Sequence, residues 1–164
     1  MKKMKVLSKM ILIAFMATAL LTGCSKDDDN TDPENNNPTT STLTLKADGA
    51  AWSASLAVVA TNESGVLTVT GSDSNAHQAQ VIIYNPSGTG TYTLGGAITN
   101  QSNGRWTVGL GQNDTYTTMV GQGEGTVEIT ELTSTGVKGT FSFTAKNGAG
   151  TQVTITEGSF NASF

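Results

Sequence analysis

The chain of 164 residues has one histidine, one arginine and one cysteine, and each scarcity removes a class of chemistry. His77 has no second histidine and no cysteine at ligand spacing, so no zinc centre is expected. A Ser–His–Asp triad would have to use His77 with Asp73, the nearest acid, in the polar stretch "SDSNAHQAQ"; serines and threonines abound here, but no nucleophile is set apart from them. The glycine-rich "GLGQ" and "GQGEG" lack a phosphate-binding lysine and a strand-to-helix setting, and "GQNDTY" and "GSDSN" lack the spacing of a calcium loop. No cofactor and no metal are expected. Hydrophobic runs are short as well: "ILIAFMATALL", eleven residues ending at Leu21, falls well below the roughly 20 that a membrane-spanning helix needs.

Basic residues are few and unevenly placed. Four of the nine, Lys2, Lys3, Lys5 and Lys9, precede that apolar run, the order of a secretory signal. The run ends in "LTGC", Leu21 to Cys24. This resembles the lipobox of bacterial lipoproteins, in which the cysteine thiol receives a diacylglyceryl group and the chain is cut just before it. The resemblance implies that residues 1–23 are a signal peptide, that Cys24 is the lipidation site, and that the partners include a membrane, reached through that lipid, and the lipoprotein processing and export machinery. Two or three acyl chains make such an attachment stable. With its only cysteine so used, the chain has no disulfide available.

Without residues 1–23 the chain keeps five basic residues against all thirteen acids, a formal charge of −8. Nucleic acid is thereby excluded as a partner, because a phosphate backbone requires clustered lysine and arginine. The next segment, "SKDDDNTDPENNNPTTST", has no large apolar residue to offset the entropy of ordering, so residues 24–42 are expected to be the lipidated cysteine and a disordered acidic tether. Lys26 with Asp27, Asp28 and Asp29, directly after Cys24, resembles the signal that sends lipoproteins of Bacteroidota to the outer face of the outer membrane. The implied location is the outer membrane, lipid-anchored, facing the exterior.

From residue 43 to residue 164 the pattern is that of a single all-β domain. Short alternating segments are punctuated by turn chemistry such as "NESG", "NPSG" and "KNGAG", and no window has a helical period. Strands are predicted near 43–47, 51–61, 65–71, 79–85, 90–95, 105–110, 115–120, 125–132, 137–146 and 151–163. In "WSASLAVVA" the face of Trp52, Ala54, Leu56 and Val58 is expected to point inward, and "HQAQVIIYNP", the most apolar segment, to be central. In the last third, Val127 and Ile129, then Phe141, Phe143 and Ala145, then Val153, Ile155, Phe160, Ala162 and Phe164 alternate with polar residues, the signature of half-buried antiparallel strands. Gly158 stands where a bulge would return Phe160 to the core. The expected fold is an antiparallel β-sandwich or an up-and-down meander barrel of about ten strands.

The segments "ADGAAWSA", "GTGTYTLGG" and "GTFSFTAKNGAGTQVTITEGSFNASF" resemble a family of small β-rich lipoproteins of uncharacterised function from Bacteroidota. Gly49 and Trp52, Gly90, Tyr92 and Leu94, Gly139, Phe141 and Phe143, and Thr156, Gly158 and Phe160 carry the match. It implies fold and address, and no activity. The best candidates for ligand contact are then aromatic: Tyr92, Tyr116 and the pair Arg105–Trp106 in "NGRWTVG", suited to a carboxylate or glycan beside a ring. The expected function is a non-enzymatic accessory module binding a glycan or an envelope protein. Two alternatives are a lipocalin-like carrier of a small apolar ligand and a hydrolase pairing Glu128 with Glu157.

Overall fold

The computed structural model describes residues 40–119 and 121–164; the signal segment, Cys24 and the run Lys26 to Asp29 lie outside the described residues. Among the described residues there are, in chain order, eleven strands: β1 (Thr42–Ala47), β2 (Ala50–Ser53), β3 (Ala57–Glu63), β4 (Val66–Ser72), β5 (Gln78–Tyr84), β6 (Gly90–Gly95), β7 (Asn103–Thr107), β8 (Thr115–Thr117), β9 (Glu124–Leu132), β10 (Gly136–Lys146) and β11 (Gln152–Ser163). They form one antiparallel sheet, ordered β2-β1-β11-β10-β8-β7-β5-β4-β3, with β9 added to β10 and β6 to β9. The sheet curls into a half-barrel. The all-β antiparallel expectation holds, and β2 and β3 are the two ends of the strand order.

The inner face is built by alternation. On β10, Val137, Phe141, Phe143 and Ala145 point inward, and on β11 Val153, Ile155, Phe160 and Ala162 do so. Their rings meet glycine backbones: a Cβ on Gly139 would lie 2.6 Å from the Phe160 ring, one on Gly158 2.6 Å from the Phe141 ring, and one on Gly104 2.5 Å from the Phe143 ring. Large and small positions are thus matched across the fold, which is how a curled sheet fills its interior without voids. Twenty buried apolar residues form one cluster in that interior. The bulge expected at Gly158 lies at Thr156–Glu157, where β11 has two residues between the pairs Phe141–Gly158 and Phe143–Ile155. Glu157 takes a left-handed φ of 50° there.

Five details depart from expectation. The strand predicted over 51–61 is two strands: at Ser55 and Leu56 both amides turn to the carbonyl of Ser72, and the chain passes from one margin of the sheet to the other. Leu56 therefore does not point inward but is 67% exposed. The terminal strand is stitched between β1 and β10 as expected, yet the Phe164 side chain is exposed and only its amide is held, by Thr135 O at 3.0 Å. Lastly, the order is not purely up-and-down, because β1 pairs β11, β6 pairs β9 and β5 pairs β7. The apolar β5 lies inside the sheet between β4 and β7, toward the β3 end of the order rather than at its middle.

The antiparallel order brings four connections to one end: Asp48–Gly49, residues 73–77, residues 108–114 and residues 147–151. They are tied across the fold by Asn147 Nδ2 donating to Asn113 O (2.7 Å) and Thr154 N donating to Asp48 Oδ1 (2.8 Å). The chain enters β1 at Thr42, the opposite end of that strand.

Candidate functional site

At the four-loop end a single carboxylate organises the aromatic side chains. In the β4–β5 connection Asp73 Oδ1 accepts the amides of Asn75 (2.8 Å) and His77 (3.0 Å), the self-closing turn that a short acidic side chain favours. Ala76 is held at a φ of 63°, a conformation side chains rarely adopt, so the surrounding bonds must fix this loop. The second oxygen, Oδ2, accepts Trp52 Nε1 from β2 at 2.8 Å and faces His77 Nδ1 at 2.8 Å. Asp73 is nearly buried, at 9% exposure. Burial alone would raise its pKa; the hydrogen bonds from Trp52, from the His77 ring and from the amides of His77 and Asn75 outweigh that and hold the carboxyl well below the usual carboxylate range. The contact with Asp73 Oδ2 fixes the His77 ring with Nδ1 toward the carboxylate and Nε2 away from it.

The rings then pack on one another. Trp52 meets Trp106 edge to face, with centroids 5.1 Å apart and planes at 78°, and His77 lies nearly parallel to Trp106 at 5.7 Å and 19°. Tyr116 on β8 pairs directly with Trp106 on β7 and adds a further wall. Between these rings and the β1–β2 turn is a recess of about 350 Å³, lined by Trp52, His77, Trp106, Tyr116, Ala47 and Asp48, among others. Asp48 is the sole charged residue lining it among the described residues. Aromatic walls with few polar groups are the composition of small-ligand sites.

The four residues picked from sequence separate into two groups. Trp106 (4% exposed) and the half-buried Tyr116 line the recess. Arg105 does not join Trp106, because successive strand residues face opposite sides: Arg105 lies on the outer face, opposite Gln80 and Thr117. Its Nε is buried without a partner among the described residues. Tyr92 is engaged elsewhere, its hydroxyl donating to Gly88 O (2.7 Å) and accepting Ser87 N (3.0 Å), which fastens the β5–β6 loop. Trp52, Asp73, His77 and Asp48 were not picked. The "SDSNAH" turn was visible, but the long-range half of the Asp73 network, 21 residues from Trp52, leaves no local mark.

Other depressions lie on the outer face. One of about 510 Å³ spans β6, β9, β10 and β11 and is lined largely by Thr93, Thr126, Ser142, Thr144 and Thr154; it is larger than the recess but has no aromatic wall apart from Phe143 and no network behind it. Glu128 and Glu157 do border a common depression of about 390 Å³. They stand two strands apart, on β9 and β11, so their backbones are separated by about 9.5 Å or more. Glu157 Oε1 is already bound to Lys46 Nζ at 2.8 Å.

Residues 39–162 match the model of a family described as Domain of unknown function (DUF6252). No curated protein and no solved structure matches the chain.

Proposed function

We propose that this chain, which belongs to the DUF6252 family of unknown function, is a lipid-anchored envelope protein whose half-barrel is a non-catalytic binding module. The observation that carries the reading is the recess walled by Trp52, His77, Trp106 and Tyr116 and organised by Asp73. It offers aromatic surface and a few polar atoms, and among the described residues no serine, threonine, cysteine or lysine and no carboxylate besides Asp48 lines it.

The anchoring half of the proposal rests on sequence. Cys24 in "LTGC" is the lipid-bearing residue, and Lys26 with Asp27, Asp28 and Asp29 the export signal to the outer membrane of a Bacteroidota cell. The geometry of β1 suits it. Six strand residues, about 20 Å, separate Thr42, where the chain enters β1, from the Asp48–Gly49 turn that borders the recess. A lipocalin-like carrier gains no support, because the interior that would hold its ligand is occupied by the twenty-residue apolar cluster.

Two readouts on the whole chain test the proposal. Intact cells should expose the native protein to protease and antibody, while Cys24→Ala loses lipid and the fourfold alanine variant at Lys26, Asp27, Asp28 and Asp29 becomes protected; protection of the native form would remove the outward display. Deproteinised envelope extract should change the tryptophan emission saturably, and Trp52→Phe should blunt the change. Emission that no extract fraction alters would remove the binding role.

A further inference from the structure

We infer that the recess takes an alkylammonium group, a positively charged nitrogen carrying small apolar substituents; this rests on the binding reading above. Charge excludes the opposite class first. No lysine or arginine lines the recess among the described residues, and its sole charged lining residue is Asp48, so an anion would find no partner. Polyols are disfavoured next. A sugar carries a hydroxyl on almost every carbon and each must find a partner when buried, whereas these walls are mostly ring and alanine surface.

What remains suits a cation with an apolar coat. Trp52 and Trp106 stand perpendicular and form a corner of the recess, Tyr116 adds a further ring, and the negative faces of such rings attract ammonium groups. The Trp52 indole N–H donates to the Asp73 carboxylate at 2.8 Å, which pushes electron density into the ring and sets a negative charge behind it. Both effects strengthen the attraction of a cation to the ring face. At the rim, Asp48 is fixed by accepting Thr154 N through Oδ1, leaving Oδ2 for the ligand.

The test titrates the purified whole chain with choline and, separately, with neohexyl alcohol, its uncharged carbon isostere, and follows tryptophan emission. The chain's two tryptophans both line the recess, so the signal reports this site. Choline is expected to bind about tenfold more tightly than the isostere, the difference a desolvated cation–ring contact supplies. Asp48→Asn preserves the bond to Thr154 N and tolerates the left-handed φ of 48° at that position, so it should fold normally. It should weaken choline severalfold and leave the alcohol unchanged. Equal affinity for choline and alcohol would overturn the ammonium assignment and leave the recess as a site for neutral apolar groups. No response to either would overturn the ammonium assignment, while the binding role of the recess stands or falls with the envelope-extract titration.

Discussion

The phenylalanine core and the aromatic mouth use the same kind of side chain for opposite ends. In the core, Phe141, Phe143 and Phe160 lie against Gly158, Gly104 and Gly139, whose missing side chains let ring and backbone close without a gap. At the mouth, Trp52 and His77 are held by hydrogen bonds to one carboxylate, Trp106 packs against both and Tyr116 lies beside it, and the four rings leave about 350 Å³ open between them and the β1–β2 turn. Apolar contact alone tends to collapse such a space. A directional polar hub can prevent that, because its bonds fix the angle of each ring as well as its distance. Core and mouth should therefore respond separately to substitution, the first in stability and the second in ligand contact.

The largest effect is expected from Phe143→Ala, which empties the site facing Gly104; denaturant unfolding should show a loss of about 3–5 kcal/mol. Gly139→Ala comes next. Its Cβ would run into Glu128 O and lie 2.6 Å from the Phe160 ring, and overpacking of this kind costs about 1–3 kcal/mol. Recovery of stability in the double variant Gly139→Ala, Phe160→Leu would sharpen the assignment of that clash.

Asp73→Asn should lower the melting temperature less than either core variant and shift the tryptophan emission. It also predicts a pH dependence with a definite sign. The folded pKa of Asp73 is depressed, so its contribution is complete above the ordinary carboxylate value of about 3.9 and is lost as pH falls from there toward the folded value. Melting temperatures of the native chain should therefore fall more steeply below about pH 4 than those of Asp73→Asn. Parallel slopes would mean that Asp73 is not the hub.

Smaller effects should come from groups in neither region. Tyr92→Phe removes the hydroxyl that fastens Ser87 and Gly88, at about 0.5–1.5 kcal/mol, with tryptophan emission unchanged. Lys138→Ala breaks an exposed pair with Glu131 and should cost less than about 1 kcal/mol.

Much of the core could be read from the sequence, and little of the mouth. Period two in "GTFSFTAK" and "TQVTITEGSFNASF" identifies the inward residues because one face of β10 and β11 is buried and the other wet. The same rule misplaces Leu56: the alternation of "WSASLAVVA" continues through a stretch where the backbone leaves one sheet margin for the other, and period two says nothing of backbone direction. Trp106 and Tyr116 could be named as aromatics on strands. That they share a recess with Trp52 and His77 depends on pairings such as β1 with β11, more than a hundred residues apart, and on an Asp73 oxygen left over from a turn. Arg105 shows the converse. Adjacency in "RW" suggested a joint site, and strand geometry puts the two on opposite faces.

The most direct test of the carboxylate-held mouth is a nitrogen-15 spectrum of the whole chain beside Asp73→Ala. Two indole signals are expected, from Trp52 and Trp106. The account predicts that the substitution moves both and speeds solvent exchange of the Trp52 indole proton, while the amides of the core strands β10 and β11 stay in place. Unmoved indole signals, or displaced signals throughout β10 and β11, would contradict it.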